Sequence, residues 1–137
     1  MRTLPTRLER HEANARQVAE WLNGLDFVRN VLYPALPDAA GHDLWRRDFK
    51  GASGLFGVLL DPCSEEQLAA MLDDLALFGM GYSWGGFESL VVPVVPHRTA
   101  RPWEREGQLL RLHIGLESPA DLKADLKAGF KRAGYIA

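Results

Sequence analysis

The segment Leu110-Arg111-Leu112-His113-Ile114-Gly115 alternates strictly between apolar and polar side chains. Successive side chains of a β-strand point to opposite faces of the sheet, so the apolar residues share one face, and Arg111 and His113 share the other. We therefore predict a strand that packs one face on helices. The opposite face is expected to present a cation and an imidazole.

Three helices are predicted from apolar residues at helical spacing. The first is expected to begin after Thr6, as its N-cap, and to end at Gly24. The second follows Ser64, which has Gln67 three residues later in a capping-box pattern. The third follows Ser118, with a proline at its first helical position.

Three further strands are predicted from short apolar runs at residues 27–33, 54–60 and 77–82. The run at 54–60 is nearly uninterrupted, which is typical of a central strand covered on at least one face. Residues 41–49 are ambiguous and could form one or two helical turns with their aromatic side chains inward. Residues 93–107 show no periodicity and are predicted to form a long loop.

The order of these elements is helix, strand, strand, helix, strand, strand, helix. It predicts an α+β fold in one domain, residues 1–137. We expect a two-layer sandwich, in which a small, mostly antiparallel sheet is covered by helices on one face.

The composition is that of an ordinary globular domain: 137 residues, 47% hydrophobic and 25% charged, with a net charge of −2. Disordered, collagen-like and coiled-coil chains are excluded. The charge balance gives no basic surface for nucleic acid, and no run approaches the roughly 20 apolar residues of a membrane span. The single cysteine, Cys63, fits a reducing compartment, so we expect a cytoplasmic protein without nucleic-acid or membrane partners.

The most unusual local string is Gly81-Tyr82-Ser83-Trp84-Gly85-Gly86-Phe87-Glu88-Ser89-Leu90. A glycine pair after a large aromatic residue can bring main-chain amides close to a ligand, and small anions bind well to such turns. The alternative is a simple turn between strands, with Trp84 as a core aromatic. The string matches neither of the glycine-rich nucleotide-binding patterns.

Arg111 is the second candidate for a ligand contact. A guanidinium in an alternating strand needs a partner, and its planar fork matches a carboxylate. That carboxylate belongs either to a ligand or to a side chain such as Glu88 or Glu117. No metal site is predicted, because His11, His42, His97 and His113 lack zinc-site spacing and one cysteine cannot complement them.

Residues 82–90 and 110–117 together resemble the C-terminal domain of cystathionine β-lyases. This family belongs to the pyridoxal-phosphate (PLP) enzymes of cysteine and methionine metabolism, which have the type I fold of aspartate aminotransferase. The likeness extends to residues 2–11, 31–37 and 51–56 and to the last helix, so it covers essentially the whole chain.

The resemblance implies a role for four residues. The arginine of this strand motif, here Arg111, receives the substrate α-carboxylate in the family. Ser83 and Trp84 fall on positions that line the substrate pocket, with Ser83 helping to hold the carboxylate. Tyr82 points to the β-eliminating branch, which converts L-cystathionine to homocysteine, pyruvate and ammonia in methionine biosynthesis.

The family's cofactor-binding large domain has no counterpart in these residues. Without a Schiff-base lysine there is no electron sink, and none of Lys50, Lys123, Lys127 and Lys131 falls on that motif. We therefore expect a chain that has no catalytic residue of its own, binds no PLP and is inactive alone. Its expected partners are an amino-acid substrate, the missing large domain and, as in the family, further copies of itself.

Two other interpretations stay open at the level of sequence. A free-standing domain could use the same arginine and glycine turn to bind an amino acid without chemistry. A truncated remnant could instead associate with itself through a face that the large domain normally covers.

Overall fold

A five-stranded sheet is the centre of the fold. The computed structural model describes residues 2–137. The helices and strands, in chain order, are α1 (Leu4–Asn23), β1 (Val28–Leu32), α2 (His42–Asp48), β2 (Leu55–Leu60), α3 (Glu65–Leu72), β3 (Phe78–Met80), β4 (Ser89–Pro93), β5 (Gln108–His113) and α4 (Pro119–Arg132). The strand order is β1-β2-β5-β4-β3, and all neighbours are antiparallel except the parallel pair β3 and β4. The predicted α+β fold with a mostly antiparallel sheet is confirmed.

The alternating strand β5 lies at the centre of the sheet, between β2 and β4. Its apolar residues Leu110 and Leu112, and Ile114 just beyond it, are buried as predicted. They belong to the same hydrophobic core as Leu22 of α1 and Phe130 of α4. Helix α1 packs against β1 and α4, and α3 packs against α4. The core therefore fixes β5 from its apolar side.

Helix α3 begins where its capping signal predicts. The Ser64 hydroxyl accepts a hydrogen bond from the Gln67 amide at 3.2 Å, and the Gln67 side chain accepts one from the Ser64 amide at 3.0 Å. These reciprocal bonds satisfy two main-chain donors that a helix N-terminus leaves unpaired. Helix α4 also begins at the predicted proline, Pro119, and the loop after β4 has no helix or strand until β5.

Helix α1 starts earlier than predicted. Its first residue is Leu4 and its N-cap is Thr3, so Thr6 lies inside the helix. The reason is Pro5, whose fixed φ and missing N–H are compatible with a first helical turn. The helix ends at Gly24 as expected, although Gly24 has a φ of −92° rather than a left-handed conformation.

Helix α2 resolves the ambiguous segment 41–49, but the expectation that its aromatic residues point inward is wrong for Phe49. Helix α2 has no fully buried residue, and Phe49 is 65% exposed. Trp45 is half-buried and lies beneath the guanidinium of Arg16, 5.4 Å from the centre of its ring. Phe49 follows the last helical residue and has an extended backbone, with φ −116° and ψ 146°, so it does not continue the helical face that carries Trp45.

Strand β4 was not predicted from the sequence. Its residues Val91 and Val92 are buried between β5 and β3, and Leu90 and Val92 lie opposite His113 and Arg111 of β5. This strand carries the end of the glycine-rich string to the polar residues of β5. Within residues 2–137, no helix combines the length and the apolar character that crossing a lipid bilayer requires.

Candidate functional site

Arg111 occupies the middle of the central strand, with Gly57 of β2 and Val92 of β4 as its cross-strand partners. Its Nη2 group donates hydrogen bonds to the main-chain carbonyls of Tyr82 and Ser83, the latter at 3.0 Å. The guanidinium carbon also lies 5.7 Å from the centre of the Tyr82 ring, within cation–π distance. The strand thus holds this cation against the loop that follows β3.

No carboxylate of residues 2–137 forms an ion pair with Arg111. The Glu88 side chain is exposed, and the Glu117 carboxylate is hydrogen-bonded to Ser89. Both recorded bonds of Arg111 come from Nη2, so the N–H groups of Nε and Nη1 have no acceptor in the described part of the chain. A guanidinium carries five N–H donors in one plane, so these groups can bind an external carboxylate.

The loop at residues 82–87, which we call the site loop, connects β3 to β4 and is exposed on its outer side. Tyr82 is 72% exposed and Trp84 is 61% exposed, so the alternative of Trp84 as a core aromatic is wrong. Ser83 is also exposed, and it approaches Arg111 through its carbonyl rather than its hydroxyl. The structure therefore brings Tyr82 and Ser83 to Arg111 and leaves Trp84 beside them without a hydrogen bond to the arginine.

The inner side of the site loop is tied down by three side chains. Arg7 Nε donates to the carbonyl of Gly85 at 3.0 Å, and His11 Nε2 donates to the carbonyl of Gly86 at 2.8 Å. The amide of Gly85 in turn donates to His113 Nε2 at 3.1 Å. Gly85 has a φ of +79°, a conformation that glycine adopts without a steric cost. Helix α1 and strand β5 thus clamp the turn between them.

The alternation of His113 with leucines predicts that it lies on an open face of the sheet. The structure shows instead that His113 is buried. It is 2% exposed, because the ring of His11 packs edge-on against it with centroids 5.0 Å apart. On another side lies Gly54, where a Cβ atom would come within 3.1 Å of the His113 ring and within 2.3 Å of the Ile114 carbonyl. The imidazole is therefore enclosed by α1, the site loop and the chain before β2.

Burial lowers the pKa of both histidines below the usual value for imidazole. For His11 the positive charge of Arg7 adds to this effect, and for His113 the neighbouring His11 does so when it is protonated. Both rings are therefore neutral at pH 7. Because His11 donates from Nε2 and His113 accepts at Nε2, the two rings are opposite tautomers, with the His113 proton on Nδ1.

A second polar cluster supports the site loop from the end that leads into β4. Glu117 accepts hydrogen bonds from the amide and the hydroxyl of the buried Ser89, and the Ser89 hydroxyl accepts one from the Gly115 amide. Asn14 of α1 donates to the carbonyls of Gly115 and Glu117, at 3.1 and 3.0 Å. The Leu116 amide donates to the Phe87 carbonyl at 2.9 Å. The chain after β5 is thus fixed to α1 and β4 at once.

Sequence reasoning did not identify the residues that hold the site loop from α1. Arg7, His11 and Asn14 are spaced four and three residues apart on that helix, which places them on the same face. This polar stripe beside the apolar one was the signal that could have found them. In residues 2–137 no group of three histidine, cysteine, aspartate or glutamate side chains is arranged to hold a metal ion.

Comparisons with known proteins point to one enzyme family. Residues 1–131 match the model of the Cys/Met metabolism PLP-dependent enzyme family. The cystathionine beta-lyase MetC of Escherichia coli is 49% identical over 138 residues, and the cystathionine beta-lyase of Salmonella typhimurium is 47% identical over 138 residues. Each of these alignments covers 96% of this chain and 35% of the relative.

A solved structure shares the fold. The cystathionine gamma synthase of Xanthomonas oryzae pv. oryzae, crystallised in complex with cystathionine, superposes with a TM-score of 0.80 and 37% sequence identity. The alignment covers 97% of this chain and 36% of that one. The chain therefore spans about a third of the length of the relatives it matches.

Proposed function

The chain belongs to the Cys/Met metabolism PLP-dependent enzyme family, and from this premise we propose that it is the small domain that binds the substrate carboxylate, through Arg111. The observation that carries the proposal is the hydrogen bonding of the Arg111 guanidinium. It is held by two main-chain carbonyls, forms no ion pair within residues 2–137 and retains unpaired N–H groups. Such a cation can bind an anion from outside the described part of the chain.

The surroundings of Arg111 suit an amino acid whose side chain includes an apolar stretch, such as the methylene and sulfur atoms of a thioether. Tyr82 and Trp84 place two exposed aromatic rings on the site loop beside the cation, and the Ser83 hydroxyl is free of hydrogen bonds to the described residues. In this proposal the carboxylate binds Arg111 and the Ser83 hydroxyl, and the aromatic rings form part of the pocket wall. Fixing one end of the substrate in this way orients the bond to be broken.

PLP supplies, when bound, a sink for the electron pair released at the substrate α-carbon. The lysines of this chain do not fit the covalent attachment of that cofactor. Lys50 is exposed in the loop after α2, and the other three lie on α4, where Lys127 and Lys131 are exposed. A lysine that forms a Schiff base needs a desolvated pocket or a neighbouring charge that lowers its pKa. We therefore propose that the cofactor is held by residues outside this chain.

The names of the relatives favour one substrate class. Two of them are cystathionine beta-lyases, and the superposed crystal structure contains cystathionine. We propose that the complete enzyme cleaves the carbon–sulfur bond of L-cystathionine, or of a related thioether amino acid, by β-elimination. The isolated chain then contributes binding and orientation, and its partners are the substrate and the cofactor-binding domain.

The test is a chimera in which this chain replaces the matching third of the Escherichia coli relative. We expect the chimera to release pyruvate from L-cystathionine. Arg111→Lys should lower kcat/KM by about 10- to 100-fold, mostly through KM, because the bonds of an ionised pair contribute about 1.5–3 kcal/mol. The matched control is Arg101→Lys, at an exposed arginine outside the site.

The outcomes separate the competing interpretations. Unchanged kinetics of Arg111→Lys in an active chimera would show that Arg111 does not bind the carboxylate. If the isolated chain instead binds an amino acid saturably in calorimetry and the chimera is folded but inactive, a free-standing binding module is the better interpretation.

A further inference from the structure

We propose that His113 and His11 are positioning residues that hold the Gly85–Gly86 turn and, through it, the carbonyls of Tyr82 and Ser83 that anchor Arg111. This inference rests on the proposed carboxylate-binding role of Arg111. Neither histidine faces the substrate in it. Each acts on the main chain of the site loop, and the loop acts on the arginine.

The first argument is the position of the two rings. His113 lies two residues after Arg111 on the same face of β5, so one strand contacts the site loop at two points. Arg111 binds the carbonyls at positions 82 and 83, and His113 binds the amide at position 85. The loop between these two points is only a few residues long, so a shift at Gly85 is transmitted to Ser83.

The second argument is that the three hydrogen bonds to the Gly85–Gly86 turn are directional and together fix its orientation. The turn offers a carbonyl, an amide and a second carbonyl to Arg7, His113 and His11. Each of these main-chain groups meets a side chain of matching donor or acceptor character. Of the two neutral tautomers of His113, only the one with a bare Nε2 accepts a hydrogen bond from the Gly85 amide, so the contact selects that tautomer.

The third argument is that plain packing does not require two imidazoles here. Both rings are fully buried, and the Nδ1 atom of each has no hydrogen-bond partner among the described residues. Burying an unpaired polar atom costs free energy, and a phenylalanine of similar shape would avoid that cost. What each histidine adds over phenylalanine is one bond to the turn.

The response of His11 and His113 to acid depends on the charged groups around them and on which ring nitrogen is free to take a proton. Arg7 of α1 and Arg111 of β5 are cations, and the carboxylate of Glu117, in the chain after β5, partly offsets them. A proton on His113 Nε2 would face the Gly85 N–H and break that bond. A proton on His11 would enter at Nδ1 and leave its bond to Gly86 in place, so His113 is the acid-sensitive member.

The decisive experiment is NMR spectroscopy of the uniformly 15N- and 13C-labelled chain with three matched variants. His113→Phe keeps a ring but removes the acceptor, and His113→Gln offers an amide oxygen near the position of Nε2. His11→Phe removes the donor to Gly86. The readouts are the Gly85 amide shift and exchange rate, the Gly86 carbonyl shift, and the amide shifts at Tyr82, Ser83 and Trp84.

We expect His113→Phe to move the Gly85 amide proton upfield and to speed its exchange by about tenfold, the factor for one hydrogen bond. The resonances of residues 82–84 should move with it, and His113→Gln should restore most of the change. In the unmodified chain the Gly85 amide should titrate together with the His113 ring as the pH falls. If residues 82–84 keep their shifts when the Gly85 bond is lost, the proposal is overturned.

The same variants in the chimera test whether the histidine contacts to the site loop affect substrate binding. We expect His113→Phe to raise KM for L-cystathionine by about tenfold with a smaller change in kcat, and His113→Gln to recover much of the loss. An inactive parental chimera would count against the proposed function only, since the NMR result needs no activity. If His113→Phe does not fold, the pH titration of Gly85 and residues 82–84 in the unmodified chain still decides the matter.

Discussion

The Glu117 carboxylate accepts two hydrogen bonds from Ser89, one from the main-chain amide and one from the hydroxyl, each at 2.8 Å. Ser89 is fully buried at the start of β4, and its hydroxyl oxygen also accepts the Gly115 amide at 2.8 Å. A single hydroxyl thus joins the start of β4 to the chain that leaves β5. The start of β4, just after the site loop, is therefore held by charge-assisted hydrogen bonds to Glu117.

Ser89→Ala is expected to lower the free energy of unfolding by about 1–3 kcal/mol, since the Gly115 amide and one oxygen of Glu117 lose their partner in a buried place. Urea unfolding followed by circular dichroism measures the change. Thr99→Ala, in the exposed loop before β5, is the control and should fall within about 0.5 kcal/mol of the parent. A Ser89→Ala variant as stable as this control would show that the cluster does not stabilise the fold.

Gly115→Ala should be more damaging than Gly86→Ala. A Cβ atom at Gly115 would lie 2.2 Å from the Phe87 carbonyl oxygen, whereas nothing lies within 4 Å of one at Gly86. The main chain must move in the first case, so we expect a loss of at least about 2 kcal/mol in unfolding free energy, against about 0.5 kcal/mol or less in the second. Equal stability of the two variants in urea would contradict the geometry around Gly115.

The stability of the chain should fall as the pH drops below about 6.5, the value of an unperturbed histidine. The pKa of His11 and of His113 is lowered in the folded state by burial, so the unfolded chain binds protons first. The stabilisation by the two neutral histidines is complete above the pKa of histidine in the unfolded chain. It is lost as the pH falls through the lowered pKa values of the folded state. Urea unfolding at several pH values between 7 and 5 measures it.

The double variant His11→Gln/His113→Gln is the control for that pH dependence, because a glutamine amide does not titrate. Its unfolding free energy should depend less steeply on pH than that of the parent over the same interval. An identical slope in both proteins would assign the pH dependence to other groups.

The isolated chain should not form a stable adduct with PLP. None of its four lysines lies in a setting that favours a Schiff base, so we expect the absorbance of the free cofactor and, after borohydride reduction, an unmodified mass. Absorption spectra and intact-mass spectrometry provide the readout. A saturable aldimine band with one specifically labelled lysine would mean that the cofactor site is complete in this chain.

Several elements followed directly from local sequence. The Ser64 and Gln67 pair determined the start of α3, because a capping box involves residues only three apart. Helix α4 starts at Pro119 as predicted, although the side chain of its N-cap residue Ser118 forms no capping hydrogen bond. The alternation around Arg111 predicted a strand with one buried face, and the paired motifs at 82–90 and 110–117 identified the family. The roles of Arg111, Ser83, Trp84 and Tyr82 in binding substrate stay predictions.

The tertiary structure alone decided the surroundings of the polar residues. Alternation assigned His113 to an open face, but residues of α1 and the site loop cover it, and their contacts join positions that are distant in sequence, such as His11 with Gly86 and Gly85 with His113. Strand β4 was missed because its pairing with β5 and β3, rather than its own pattern, makes it a strand. Periodicity reports which side of an element is apolar, whereas the burial of a polar ring depends on which distant segments fold over it.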